Sequence, residues 1–239
     1  MKKLLITLIV CGVAYSLSAQ SQEVLPGDSI PWELRKQSFI YNTATQFNDP
    51  LVARMALYNL LAENPGNAAL YDSLALSYFQ FNQHISAALA AQQALRLNPS
   101  DMFAAEVAAA AFDQVGAKDK ALINYEKLYL DTQDVNTLYK ISFLQYELQR
   151  YAEATTSLDI IIADPASKES SIIFPTTDRK GQEVPVDVAA YRVKAMIEEA
   201  KGNTEVAKVK YLEVLEMFPG LEVVQQQLRD LTKPATEGE

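Results

Sequence analysis

The stretch Tyr71–Pro99, YDSLALSYFQFNQHISAALAAQQALRLNP, holds two apolar segments of helical spacing that are joined at Asn82 and stopped by Pro99, and it decides the fold because it recurs. Pro65 and Pro99 stand 34 residues apart, as do Ala53, Ala87 and Ala121 in succession. Asn48, Asn82 and Gly116 keep the same step, and so do Tyr41, Ala75 and Ala109. Within the unit Ala75, Ala87 and Pro99 are 12 apart, and Ala195, Ala207 and Pro219 reproduce both intervals further along. A fixed period of this length is the signature of a solenoid: one helix pair cannot bury its own apolar face, so pairs stack and share a continuous core.

Chemistry assigns roles to the recurring residues. Ala75, Ala109 and Ala195 are small enough to let the first helix of a pair approach the second, while Tyr78, Phe112 and Tyr146 fill the space between pairs. Asn48, Asn82, Gly116 and Gly202 fall where the chain reverses, a place that favours residues tolerant of a left-handed backbone. Pro65, Pro99 and Pro219 end second helices. The pattern Tyr71-x-x-Leu74-Ala75-x-x-Tyr78, then Ala87-x-x-x-Ala91 and Pro99, resembles the tetratricopeptide repeat family, with Tyr71 in place of the usual Trp.

The resemblance spans about residues 34 to 221, in units 34–67, 68–101, 102–135, 136 to about 164, and 188–221. The fourth unit matches least: Phe143 occupies the place of Ala75 and Ala109, and Ala154 arrives one residue early, which points to a helix–helix turn one residue short. The implied fold class is all-α: a right-handed superhelical solenoid of about five helix pairs. Leu221, Val224, Leu228 and Leu231 at helical spacing predict a C-terminal capping helix within 188–231, before a mobile tail at 232–239. Residues 165–187 interrupt the helical period. Ile172 to Phe174 and Gln182 to Val186 read as two short strands joined through Asp178-Arg179-Lys180-Gly181, a hairpin-like insertion between the fourth and fifth pairs. It either covers the edge of the neighbouring repeat or contacts a partner.

Residues 1–19 have another layout. Lys2 and Lys3 precede an apolar run from Leu4 to about Ala14, and small or polar residues follow to Ala19, as in a secretory signal peptide cut after Ala19 or Ser18. Residues 20–33 form a lead-in. Lipidation at Cys11 is the lesser alternative, because Val10 stands where such signals carry a small residue. The expectation is an exported chain, periplasmic first, secreted or lipid-anchored second, with no membrane-spanning segment after processing. Cys11 is the only cysteine, so the processed chain has no thiol chemistry. Losing Lys2 and Lys3 takes the formal charge from -9 to -11, which repels nucleic acid and anionic lipid.

Catalytic chemistry finds little support. His84 is the single histidine, the glycines are isolated, and neither a phosphate-cradling loop nor a dinucleotide fingerprint occurs, so no metal site and no cofactor are expected. Carboxylate pairs are read as a charged face. Family resemblance implies instead a concave groove, lined by first helices, that receives a peptide or partner helix. Projection onto it selects Asp72, Leu76, Phe79 and Gln80, then Glu106, Ala110, Asp113 and Gln114, then Lys140, Leu144 and Glu147. The family's Lys/Asn/Arg clamp for C-terminal carboxylates is missing, since only Lys140 fits. The function expected is therefore a protein–protein interaction module of the bacterial cell envelope, an adaptor or assembly factor and not an enzyme. Its partner would be a basic or amphipathic protein segment. A glycan-capture protein is the alternative, weakened because Trp32 is the only Trp and lies outside the groove.

Overall fold

A computed structural model of the chain describes residues 30–177 and 180–232, so the signal-like segment, its cleavage site, Cys11, the Asp178-Arg179 turn and residues 233–239 lie outside the described residues. Paired helices follow one another: α1 (Trp32–Gln46) with α2 (Pro50–Glu63), α3 (Ala68–Gln80) with α4 (His84–Leu97), and α5 (Met102–Gln114) with α6 (Lys118–Thr132). Then come α7 (Val135–Glu147) with α8 (Tyr151–Ala163), a short α9 (Ala166–Glu169), strands β1 (Ser171–Phe174) and β2 (Gln182–Pro185), α10 (Val186–Ala200) with α11 (Thr204–Met217), and α12 (Glu222–Thr232).

Local chemistry sets the helix ends. Asp49, Asn67, Asp101 and Asp134 each accept a hydrogen bond from a backbone N–H of the first turn of α2, α3, α5 and α7, satisfying donors that a helix start leaves unpaired. Every turn within a pair has three residues, and its middle residue is left-handed: Asn48, Asn82, Gly116, Gln149 and Gly202, with φ from 56 to 82°. Ala75, Ala109 and Ala195 on the first helices, and Ala87, Ala121, Ala154 and Ala207 on the second, are all 0% exposed, as close helix–helix contact requires.

Each second helix packs on the next first helix, α2 on α3, α4 on α5, α6 on α7, α8 on α10 and α11 on α12. First helices of successive pairs also meet, α3 with α5 and α7 with α10, whereas successive second helices do not pack closely. The array therefore curves with its first helices inside. At its end Leu221 and Val224 are fully buried and Leu228 and Leu231 pack on the core, so α12 caps the fifth pair as expected.

The fourth pair differs from the sequence expectation. Its turn, Leu148 to Arg150, has the ordinary three residues; the missing residue lies earlier, in the two-residue connection between α6 and α7, where Gln133 adopts φ 51°. The unit thus begins at Val135. Ser142, fully buried, takes the small-residue place of Ala75 and Ala109, and Ala154 falls where its counterparts do. Gln145, buried and accepting a 2.9 Å hydrogen bond from Ser157 Oγ, takes the place of Tyr78 and Phe112 that had been given to Tyr146.

The insertion is an antiparallel hairpin, with Ile172 opposite Val184 and Phe174 opposite Gln182. Its second strand ends at Pro185, and Val186 already opens α10. Thr177 donates through N and Oγ1 to Glu222 Oε2 at 3.0 and 3.1 Å, and Gln182 Nε2 donates to Gly220 O at 2.7 Å, so the hairpin is tied to the start of the capping helix.

Candidate groove of the first helices

Aligning the five turns aligns the inward-facing residues as well. One row reads Asp72, Glu106, Tyr139, Arg192; a second reads Leu76, Ala110, Phe143, Met196; a third reads Phe79, Asp113, Tyr146, Glu199. Gln80, Gln114 and Glu147 follow beside the third. The one-residue slip before α7 changes the fourth pair's contribution. Leu144 is 2% exposed and belongs to the core, because its counterparts Ala111 and Ile197 face the preceding pair and are buried too. Lys140 is exposed, but it lies one residue past Tyr139 and so outside the row of Asp72 and Glu106.

In their place stands an aromatic ladder. Tyr139 and Phe143 stack with centroids 6.4 Å apart, Phe143 and Tyr146 are 5.9 Å apart, and Tyr146 continues to Tyr151 at 6.1 Å. Tyr139 is almost fully buried, whereas Phe143 and Tyr146 are half-buried and keep part of their rings accessible. Arg192 carries the ladder into the fifth pair: its Nε donates to Gln227 Oε1 of α12 at 2.9 Å and its guanidinium lies 5.2 Å from the Phe174 ring centre of the hairpin. The hairpin and cap therefore hold Arg192 at 8% exposure, a buried site suited to the weak hydration and flat geometry of guanidinium.

The second and third pairs supply the acids. Asp72 is half-buried, its Oδ1 has no hydrogen-bond partner, and burial, reinforced by the like charge of Asp101, pushes its pKa up to about 6. Burial also raises Asp113, against the pull of Lys140 and Lys118. Tyr125 of α6 is pushed up to about 12 by burial and then by the negative charges of Asp113 and Glu106. The arrangement returns in the fifth pair, where Tyr211 donates to Glu199 Oε2 at 2.7 Å. Glu147 is ion-paired with Lys118 at 2.7 Å, so it is a weaker attractant than a free acid. Glu106 and Gln114 are exposed. Leu76 and Gln80, with Tyr41, Thr45, Ser73 and Ser77, line an open crevice of about 170 Å³ between α1 and α3.

His84 packs its ring edge against Phe79 at 5.2 Å, with Nδ1 buried and unpaired. Among the described residues no group of three or more His, Cys, Asp or Glu side chains could hold a metal ion, and no helix is long and apolar enough to cross a membrane.

No protein-family model matches the chain, and neither does any curated protein sequence. Its fold is that of solved tetratricopeptide repeat structures. A tetratricopeptide repeat protein from Parabacteroides merdae superposes with a TM-score of 0.62 at 18% identity, over 84% of this chain and 73% of that one. MamA superposes at 0.58 with 14% identity, over 84% and 97%. YrrB, described as a TPR protein with an unusual peptide-binding site, superposes at 0.50 with 17% identity, over 74% and 81%. In repeat period, turn geometry and helix stacking alike, the chain has the tetratricopeptide repeat fold.

Proposed function

We propose that this chain is a protein–protein interaction module of the bacterial cell envelope, exported by way of residues 1–19, that holds a peptide or partner helix along its first helices. The observation that carries the reading is the ordered surface of those helices: acids and amides in the second and third pairs and accessible aromatic rings in the fourth. Such a surface suits an amphipathic segment whose basic groups lie over Glu106 and Asp113 and whose apolar side chains lie over Phe143 and Tyr146. The peptide-binding site described for YrrB, which shares the fold, is consistent with this use.

The test begins with cross-linking in intact cells and identification of the captured segment, followed by its affinity for the purified chain. Glu106→Lys combined with Phe143→Ala is expected to weaken binding at least tenfold and to flatten its salt dependence, with helicity retained. Full affinity in that variant, together with loss on removing the 171–185 hairpin, would move recognition to the insertion and refute the groove. The ladder rings are also a surface on which sugars stack, so envelope glycan fragments are the competing ligand. Binding of glycan and not of protein would favour that second reading. Recovery of the uncut chain in the cytoplasm, or acylation at Cys11, would overturn the export route.

A further inference from the structure

The two ends of the solenoid are built differently. At the C-terminal end α12 covers the last pair and presents Gln226, Arg229 and Asp230 outward. At the other end the stripe Trp32, Lys36, Phe39, Thr43 runs down α1 at helical spacing to Phe47 just past its end, and Trp32, Phe39 and Phe47 are 66, 71 and 75% exposed. Val52 extends the apolar surface onto α2, and Phe39, Thr43, Phe47 and Val52 border one shallow apolar hollow.

The repeat shows what kind of surface this is. One step after Phe39 and Thr43 come Ser73 and Ser77, which are half-buried beneath the first pair, and two steps after come Val107 and Ala111, 7 and 0% exposed on α5, against which α4 packs. Phe39 and Thr43 thus belong to a stacking face that lacks its preceding pair, and no described residue covers it. Solenoid ends normally carry a polar outer face.

We infer that this face is closed by a second copy of the chain, docked end to end across a two-fold axis. Head-to-tail stacking is blocked, because the complementary face of the fifth pair already holds α12. Only contact of like end with like end remains, and such an isologous contact stops at two copies. Three aromatic side chains, each worth about 150–250 Å² when buried, together with Val52 offer on the order of 500 Å² of apolar surface per copy. With a polar rim this approaches the roughly 800 Å² per partner of a stable interface. Residues 20–29, QSQEVLPGDS, are a poor internal cover by composition, since only Val24 and Leu25 are large and apolar.

The chain is purified as the producing cell processes it, and its mass is followed by light scattering and sedimentation at rising concentration. Twice the protomer mass is expected, with a blue shift in the emission of Trp32, the only Trp in the chain, as dimer forms. Phe39→Asp with Phe47→Asp is expected to give monomers of unchanged helicity, whereas Leu89→Asp, at an exposed site on α4, leaves the dimer intact. A wild-type monomer at tens of micromolar, an open-ended series of masses, or a dimer that survives the double replacement would each overturn the inference. Should the double variant fold poorly, dilution of the wild type still decides it, since Trp32 emission that does not follow the mass transition contradicts this contact.

Discussion

Leu144→Ala separates a core role for the fourth pair's leucine from a groove role. The side chain is 2% exposed and sits in the main apolar cluster between α7 and its neighbours, so truncation removes buried methyl groups and leaves a cavity. The transfer loss and the cavity term together cost about 3 kcal/mol. For a chain of this size that corresponds to a fall of about 6–12 °C in melting temperature, at roughly 2–4 °C per kcal/mol. Phe143→Ala, one residue earlier, removes a half-buried ring whose neighbours are Tyr139 and Tyr146, and should cost only about 1–2 kcal/mol. Partner affinity should respond in the opposite order, strongly to Phe143→Ala and little to Leu144→Ala below the melting transition. Thermal denaturation followed by far-ultraviolet circular dichroism supplies the first comparison and titration with the captured segment the second. If Leu144→Ala melts with the wild type while Phe143→Ala collapses, the placement of the missing residue before α7 is wrong.

Three further outcomes follow from particular side chains. The folded-state pKa of Asp72, about 6 against an ordinary 3.8, means that the folded chain holds a proton the unfolded chain has released between those values, so its contribution to stability falls as pH rises through that window; Asp72→Asn should gain stability relative to wild type from about pH 4 to 7, and parallel melting curves across that range would contradict it. Ala109→Trp forces a ring into a fully buried contact on α5, where overpacking costs about 1–3 kcal/mol, and an unchanged melting temperature would refute the placement. Gly181 has φ 82°, and an added Cβ would meet Ile173 Cγ2 at 2.7 Å, so Gly181→Ala should loosen the hairpin by about 1 kcal/mol or more, visible as faster amide exchange at Ile172 and Val184 with the helix pairs unaffected.

The sequence alone determined the architecture, and for a physical reason: in a stacked array the same local environment returns every 34 residues, so small residues at Ala75, Ala109 and Ala195 and left-handed turns at Asn82, Gly116 and Gly202 leave a periodic trace. It also carries a signal for Arg192, since Asp72 and Arg192 are separated by the same 120 residues as Ala75 and Ala195. What it could not place was the one-residue deletion in the fourth unit. A residue missing before α7 and one missing after it give the same register from Ala154 onward, and the helical periods of Phe143 and Leu144 differ by a single step. Only the packing of α7 against α6, α8 and α10 decided between them. It put Ser142 and Leu144 inside and left Phe143 and Tyr146 on the groove, because the close α7–α8 contact accepts a small side chain and the space beneath the groove must be filled by an apolar one.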